Sequence, residues 1–263
     1  MKRKYKILIA VAVVLFAVGM GFLLFPPVSN CVGSVEADKA AAKLDEAKSS
    51  VRDNAVIKGK KISSVSEPGE NSREILDYIK QNNIHFKKDI KRLKADSEAY
   101  NKKLLTKQGT KSMIGYDKAA LKLTDYGIYD GVYCYVSAPT IGLRLPVYLG
   151  STELKMSYGA AHMYGTSLPI GGETANSALA GHTGYIGRIF FDNIRSLKKG
   201  DKITVTTYWS RLNYKVSGST IVKPDNPKYF TLKDSEDLLE LITCVKNKSG
   251  GTDRYVVLCE RTK

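Results

Sequence analysis

The stretch LITCVKNKSGGTDRYVVLCERTK, residues 241–263, ends one apolar run on a cysteine and opens the next near an arginine. A Lys/Gly/Ser turn lies between them, so Cys244 and Arg254 read as the two lips of a β-hairpin. A thiol at a strand end is open to substrate, and its thiolate is a strong nucleophile. A guanidinium across the hairpin keeps its proton and can hydrogen-bond a peptide carbonyl or an oxyanion growing from it. Acyl transfer needs one further part, a proton carrier. His182 lies in ALAGHTGYIG, after an apolar run and inside a glycine-rich turn. It can pair with the thiolate as imidazolium or protonate a leaving amine. Taken singly, a strand-end cysteine is usually a small buried hydrophobe and an arginine usually makes surface pairs. Taken together, the three residues cover nucleophile, acid/base and oxyanion support.

The remaining reactive side chains read more plainly. Cys134 and Cys259 sit inside apolar strands and are expected to be structural. His162, in YGAAHMYGTSLPIGG, is the competing histidine and is expected to border the cleft. His85 falls among lysines, as a solvated surface histidine. Four cysteines in a chain of 263 residues are not a disulfide framework, and no CxxC or His/Cys spacing suggests zinc. Asp234, Glu236 and Asp237 are read as a solvated helix start rather than a calcium site. No metal and no cofactor is expected.

These residues need elements to hold them. From about Ile128 the chain breaks into short β-prone runs separated by turn residues, which suggests an all-β barrel or sandwich. FFDNIRSLKKGD reads as a short helical turn ending at Gly200, and SEDLLELI as helix or as loop leading into a strand. Upstream, Glu36 to Asn54 looks helical, and residues 57–71 read as a loop. A second helix starts at Ser72. Its apolar stripe runs through Leu76, Ile79, Phe86, Ile90, Leu93, Tyr100 and Leu104, interrupted by Asn83 and Ser97. The stripe means packing, on a partner helix or on the domain, and the default role of the stretch is a spacer.

The formal net charge is +15, and two thirds of the excess lies before residue 121. A nucleic-acid binder concentrates basic residues on its folded reading surface and interleaves them with aromatics, and neither pattern is present. Ile7 to Phe25 carries no charge and follows Lys2, Arg3, Lys4 and Lys6. That length nearly spans a bilayer, and the positive flank places the N-terminus in the cytosol. A cleaved signal peptide is the alternative, but the apolar run is long for one and no small-x-small site follows. Cys31 follows PPVSN, a poor lipoprotein box.

Three motifs in order resemble the sortase family: LAGHTG, then FFDNIRSLKKGDKITV, then Thr243–Cys244 with Arg254 opening the following strand. The resemblance runs from Gly131 to Arg261. Sortases are extracellular, membrane-anchored cysteine transpeptidases of mainly Gram-positive bacteria. The resemblance implies a mainly β fold, an eight-stranded sortase-type β-barrel with short helices. It implies Cys244 as nucleophile, His182 as general acid/base, Arg254 supporting substrate and oxyanion, and Thr243 beside the oxyanion. It also implies the partners: surface proteins or pilins bearing a C-terminal LPxTG-type sorting motif, and an amine acceptor from a pilin lysine or a peptidoglycan precursor. AHMYGTSLPIGGETANSALAGHTG and RYVVLCERTK resemble class C, the pilin polymerases. Two class C features are not matched: no Asp-Pro-aromatic lid triplet occurs between Asn101 and Val132, and no second membrane segment is expected after the barrel. The expected layout is a cytosolic basic tail at 1–6, a transmembrane helix at 7–25, an extracellular helical stalk at 26–120 and the catalytic barrel at 121–263. The competing readings are a hydrolase of the same fold and a non-enzymatic wall-binding module.

Overall fold

The computed structural model describes residues 88–108, 118–184, 189–224, 226 and 230–262, together with helical residues 11, 13–16, 18 and 20. The strands are β1 Val132–Ala138, β2 Leu143–Leu149, β3 Ala160–His162, β4 Ala175–Ala180, β5 Lys202–Thr206, β6 Arg211–Val222, β7 Asp237–Lys246 and β8 Thr252–Arg261. They close a barrel in the order β1-β2-β3-β4-β7-β8-β6-β5. Pairs β2–β3 and β4–β7 are parallel, and the other neighbours are antiparallel. Closure removes the free edges that would otherwise recruit another strand.

Strand β1, VYCYVSA, is buried on both faces over most of its length. One face fills the barrel, and on the other Tyr133 shares a core with Leu93 of helix α1, Ile90–Leu104, and packs edge-on against Trp209. Asp89 caps α1, its carboxylate accepting from the Arg92 amide at 3.0 Å. Leu93 and Leu104 are buried against the barrel, at roughly 1.5–3 kcal/mol for each such side chain. Ser97, an interruption in the sequence stripe, also faces inward. Its hydroxyl donates to the Leu93 carbonyl at 2.7 Å and accepts from the Tyr133 hydroxyl at 2.8 Å. Asn101 brackets Leu168, accepting from its amide at 2.7 Å and donating to its carbonyl at 3.1 Å. Gln108 donates to the Asn176 and Phe230 carbonyls at 2.7 and 2.8 Å and accepts from the Ser167 hydroxyl at 2.7 Å.

The described part of the expected stalk is therefore packed on the barrel. Leu93, Leu123 and Tyr133 share one core, so a boundary at residue 121 cuts through it. The rest of the 26–120 stretch before residue 88, with His85 and Cys31, lies outside the described residues. So does most of the expected span at 7–25. Among the described residues no helix is long and apolar enough to cross a membrane.

Of the two readings of SEDLLELI, the structure takes the loop leading into a strand, with β7 beginning at Asp237. One further expectation is corrected. Asp237 is no solvated helix start: it is largely buried, accepting from the Tyr214 hydroxyl at 2.9 Å, with Arg261 Nε at 3.7 Å. Burial raises its carboxyl above the ordinary value, partly offset by the Tyr214 hydrogen bond. FFDNIRSLKKGD does contain a helical turn, a 3₁₀ turn at Ile194–Ser196. Gly200 follows at φ 97°, a backbone conformation that a side chain would strain.

Candidate active site

Strands β4 and β7 run parallel, pairing Ala175 with Asp237 through to Ala180 with Ile242. One more bond, Gly181 N–H to the Ile242 carbonyl at 3.0 Å, carries the ladder past the end of β4. Two residues beyond the last pair come His182 and Cys244, at equivalent positions on the two neighbouring chains. Strand β8 runs antiparallel to β7 and sets Arg254 directly opposite Cys244. Histidine, cysteine and arginine thus stand in one row across β4, β7 and β8.

Each member is held by local structure. Arg254 Nη1 lies 3.2 Å from Cys244 Sγ, as a donor to it. The hairpin behind them closes on Asn247, whose side-chain carbonyl accepts from the Gly251 amide at 2.8 Å and whose amide group donates to Asp253 at 3.1 Å. Lys223 Nζ lies 3.0 Å from the same carboxylate, and these hydrogen bonds hold the Asp253 carboxyl below its usual range. Thr243 is buried, and its hydroxyl donates to the Gly181 carbonyl at 2.8 Å. That bond ties the turn before His182 to the residue before Cys244. Gly181 is needed there, because a Cβ would meet Phe191 Cγ at 2.7 Å. Phe191 in turn donates its amide to the His182 carbonyl at 2.9 Å. Both oxygens of Asp192 accept backbone amides, from Gly184 at 2.6 Å and Phe190 at 2.9 Å.

The row opens into a cleft of about 420 Å³. Ala180 and Ile242 line it below, and Thr152, Glu153 and Met156 line its far side. The last three belong to or flank the short helix α2, Glu153–Met156. Glu153 Oε2 lies 3.3 Å from His182 Nε2. No sequence signal singles out this glutamate: GSTELKM matches no motif that calls for an acid.

Among the described cysteines, Cys244 is exposed while Cys134 and Cys259 are buried. Burial pushes both interior thiols far above the ordinary value and leaves them inert as nucleophiles. His162 departs from expectation. It is fully buried in β3 and does not line the cleft. Its Nε2 lies 3.0 Å from the Ser167 carbonyl and 3.2 Å from that of Thr166. Its ring packs edge-on against Tyr100 of α1 at 6.5 Å. Burial lowers it from 6.5 to about 4, so it is neutral at physiological pH. A histidine after a small-residue run looks loop-like in sequence, and only the covering helix makes it interior.

A model of the sortase domain matches residues 136–262. Sortase C from Clostridium perfringens SM101 is 30% identical, superposes with a TM-score of 0.54, and is matched over 99% of its length by 73% of this chain. The chain belongs to the sortase family. A pilus-related sortase C of Group B Streptococcus superposes at TM-score 0.58 with 29% identity, covering 72% of this sortase and 96% of the other. Sortase A of Bacillus anthracis is 39% identical over 123 residues, 46% of this chain and 56% of that protein. The match with that curated relative thus spans little more than half of its length. The row and the closed eight-stranded barrel are one construction: parallel β4 and β7 bring histidine and cysteine to one cleft, and the β7–β8 hairpin adds the arginine.

Proposed function

We propose that this sortase is a membrane-anchored cysteine transpeptidase that cuts a C-terminal LPxTG-type sorting motif and joins the protein to an amine. The observation that carries the reading is the row itself, with the Arg254 guanidinium 3.2 Å from an exposed Cys244 thiol and His182 at the adjoining strand end. In the first step the Cys244 thiolate attacks the motif's backbone carbonyl. The C–N bond breaks, His182 gives its proton to the departing amine, and an acyl thioester remains on Sγ. Arg254 hydrogen-bonds the oxygen that becomes negative, and Thr243 holds the Gly181 turn against β7 beside it. In the second step a primary amine attacks the thioester, a new amide forms, and the thiolate is released as His182 takes the amine's proton.

The amine is a pilin lysine or a peptidoglycan cross-bridge. The pilus-related neighbour favours the lysine. The uncharged run at 7–25, behind a basic tail, supports an anchor with its N-terminus in the cytosol and the barrel outside. The test is incubation of residues 71–263 with an LPxTG-type peptide and an amine acceptor, read by mass spectrometry beside Cys244→Ala. A joined product that the variant fails to make supports the reading. Cleavage without joining in the presence of excess amine points instead to a hydrolase. Full wall association by the inactive variant in cells would favour a binding module.

A further inference from the structure

Helix α2 is only four residues long, yet it is firmly placed. Thr152 caps it, its hydroxyl accepting from the Lys155 amide at 3.3 Å. Lys155 is buried, an unusual place for a lysine, and its Nζ donates to the Leu149 carbonyl at the end of β2 at 2.8 Å. The outcome of this fastening is that Glu153 reaches across the cleft while its own side chain stays mostly in solvent, 88% exposed. Its carboxylate meets the edge of His182, whose side chain is 20% exposed.

Resting on the assignment of His182 as the acid/base, we propose that Glu153 is a positioning residue for it: a carboxylate, carried in by a pinned α2, that orients the imidazole and offsets its positive charge when it is protonated. The other charged groups around His182 do different work. Cys244 faces it from β7, and Arg254 serves the thiol from β8. Asp192, in the loop that follows, has both oxygens committed to backbone amides. Arg188 of the same loop lies outside the described residues. Among the described residues Glu153 is the carboxylate that can answer an imidazolium, which forms together with the thiolate before attack and persists until the leaving amine is protonated. Because the Glu153 carboxylate is open to solvent while His182 Nε2 is buried, the effect is modest and sensitive to salt.

The test uses the full chain in detergent and reads the alkylation of Cys244 by iodoacetamide against pH, located by peptide mass spectrometry. This readout requires neither sorting motif nor acceptor. Glu153→Gln is expected to slow alkylation about two- to five-fold at neutral pH, the size of a partly screened ion pair. The difference should close at alkaline pH, where the thiolate forms without an imidazolium. The alkaline limb of the transfer pH profile should move to lower pH by a few tenths of a unit, roughly the same effect expressed in pH. High salt should bring wild type toward the variant, and Glu153→Asp should restore part of the difference. Superimposable profiles for wild type and Glu153→Gln would overturn the proposal. So would a change confined to the KM for the amine, which would make Glu153 an acceptor contact instead. His182→Ala is the control for the underlying reading: unchanged transfer in that variant would remove the acid/base assignment and this proposal with it.

Discussion

Two histidines, twenty residues apart in sequence, end up in opposite surroundings. His182 stands at the mouth of the cleft with a carboxylate at its edge and a thiol on the next strand. His162 is sealed between β3 and α1, among backbone carbonyls, and held neutral. The cysteines divide along the same line, Cys244 exposed and Cys134 and Cys259 interior. The lesson is that reactivity here depends on where the β4–β7 ladder stops. His182 and Cys244 lie two positions past its last pair, where β7 keeps its β8 partner and the β4 side opens into the cleft, while the buried His162, Cys134 and Cys259 lie inside the barrel strands.

The largest effect that would break this comparison comes from the thiols. Cys244→Ala should abolish peptide transfer with an unchanged thermal midpoint. Cys134→Ala should keep transfer in the folded fraction but lower stability by about 1–2 kcal/mol through the cavity it leaves. Residual transfer by Cys244→Ala, measured by mass spectrometry, would mean that the nucleophile lies elsewhere.

Next come the histidines. His182→Ala should cost roughly 10²–10⁴-fold in kcat/KM, the usual range for a lost acid/base. His162→Gln should leave kcat/KM close to wild type and act on stability instead. The sign follows from burial. The unfolded chain protonates this imidazole near 6.5 and the folded one only near 4. The contribution is therefore fully present above pH 6.5 and is lost as pH falls toward 4, about 3 kcal/mol in all. Urea unfolding at pH 4.5 and 7 should show a smaller acid loss in His162→Gln than in wild type.

A buried acid in β7 sharpens the contrast from the opposite side. Glu240 is desolvated and raised from 4.5 to about 8, although Asn176 donates to it at 3.0 Å. A raised carboxyl contributes stability below pH 4.5 that is lost as pH rises through 8. Glu240→Gln should flatten the alkaline side of the stability profile while His162→Gln flattens the acid side. Wild-type and Glu240→Gln melts that fall in parallel from pH 6 to pH 9 would contradict this.

The smallest effect concerns the region that covers His162. Gln108→Ala removes one donor to the Asn176 and Phe230 carbonyls and the acceptor of the Ser167 hydroxyl, while the Ser167 amide still donates to the Asn176 carbonyl, at a cost of about 1 kcal/mol. Chemical denaturation should record that loss, with transfer per folded molecule retained. Equal stability would mean that α1 and the segment after it are only loosely attached.

The row of Cys244, His182 and Arg254 was legible because strand ends and turns carry local signals, and because three motifs fell in order. The apolar stripe of α1 was legible too, though not its partner, since a stripe states that a helix packs and not what it packs on. Ser97 looked like a break in that stripe and proved to be part of the buried face, because a hydroxyl can satisfy itself on the carbonyl four residues back. Asp237 looked like a helix start because carboxylates at a strand entry and at a helix entry read alike until Tyr214 and Arg261 arrive from β6 and β8.

By itself the sequence determined the β-rich region that carries the candidate site, the three side chains that meet there and the order in which they occur. Those follow from short-range properties: period, turn chemistry and the reactivity of a thiol. The tertiary structure alone decided that α1 meets β1 at Tyr133, that His162 is interior, that Asp237 is buried, and that Glu153 reaches His182. Each of these depends on which surface a distant segment comes to cover, and that is set by closing the barrel and filling its outer face.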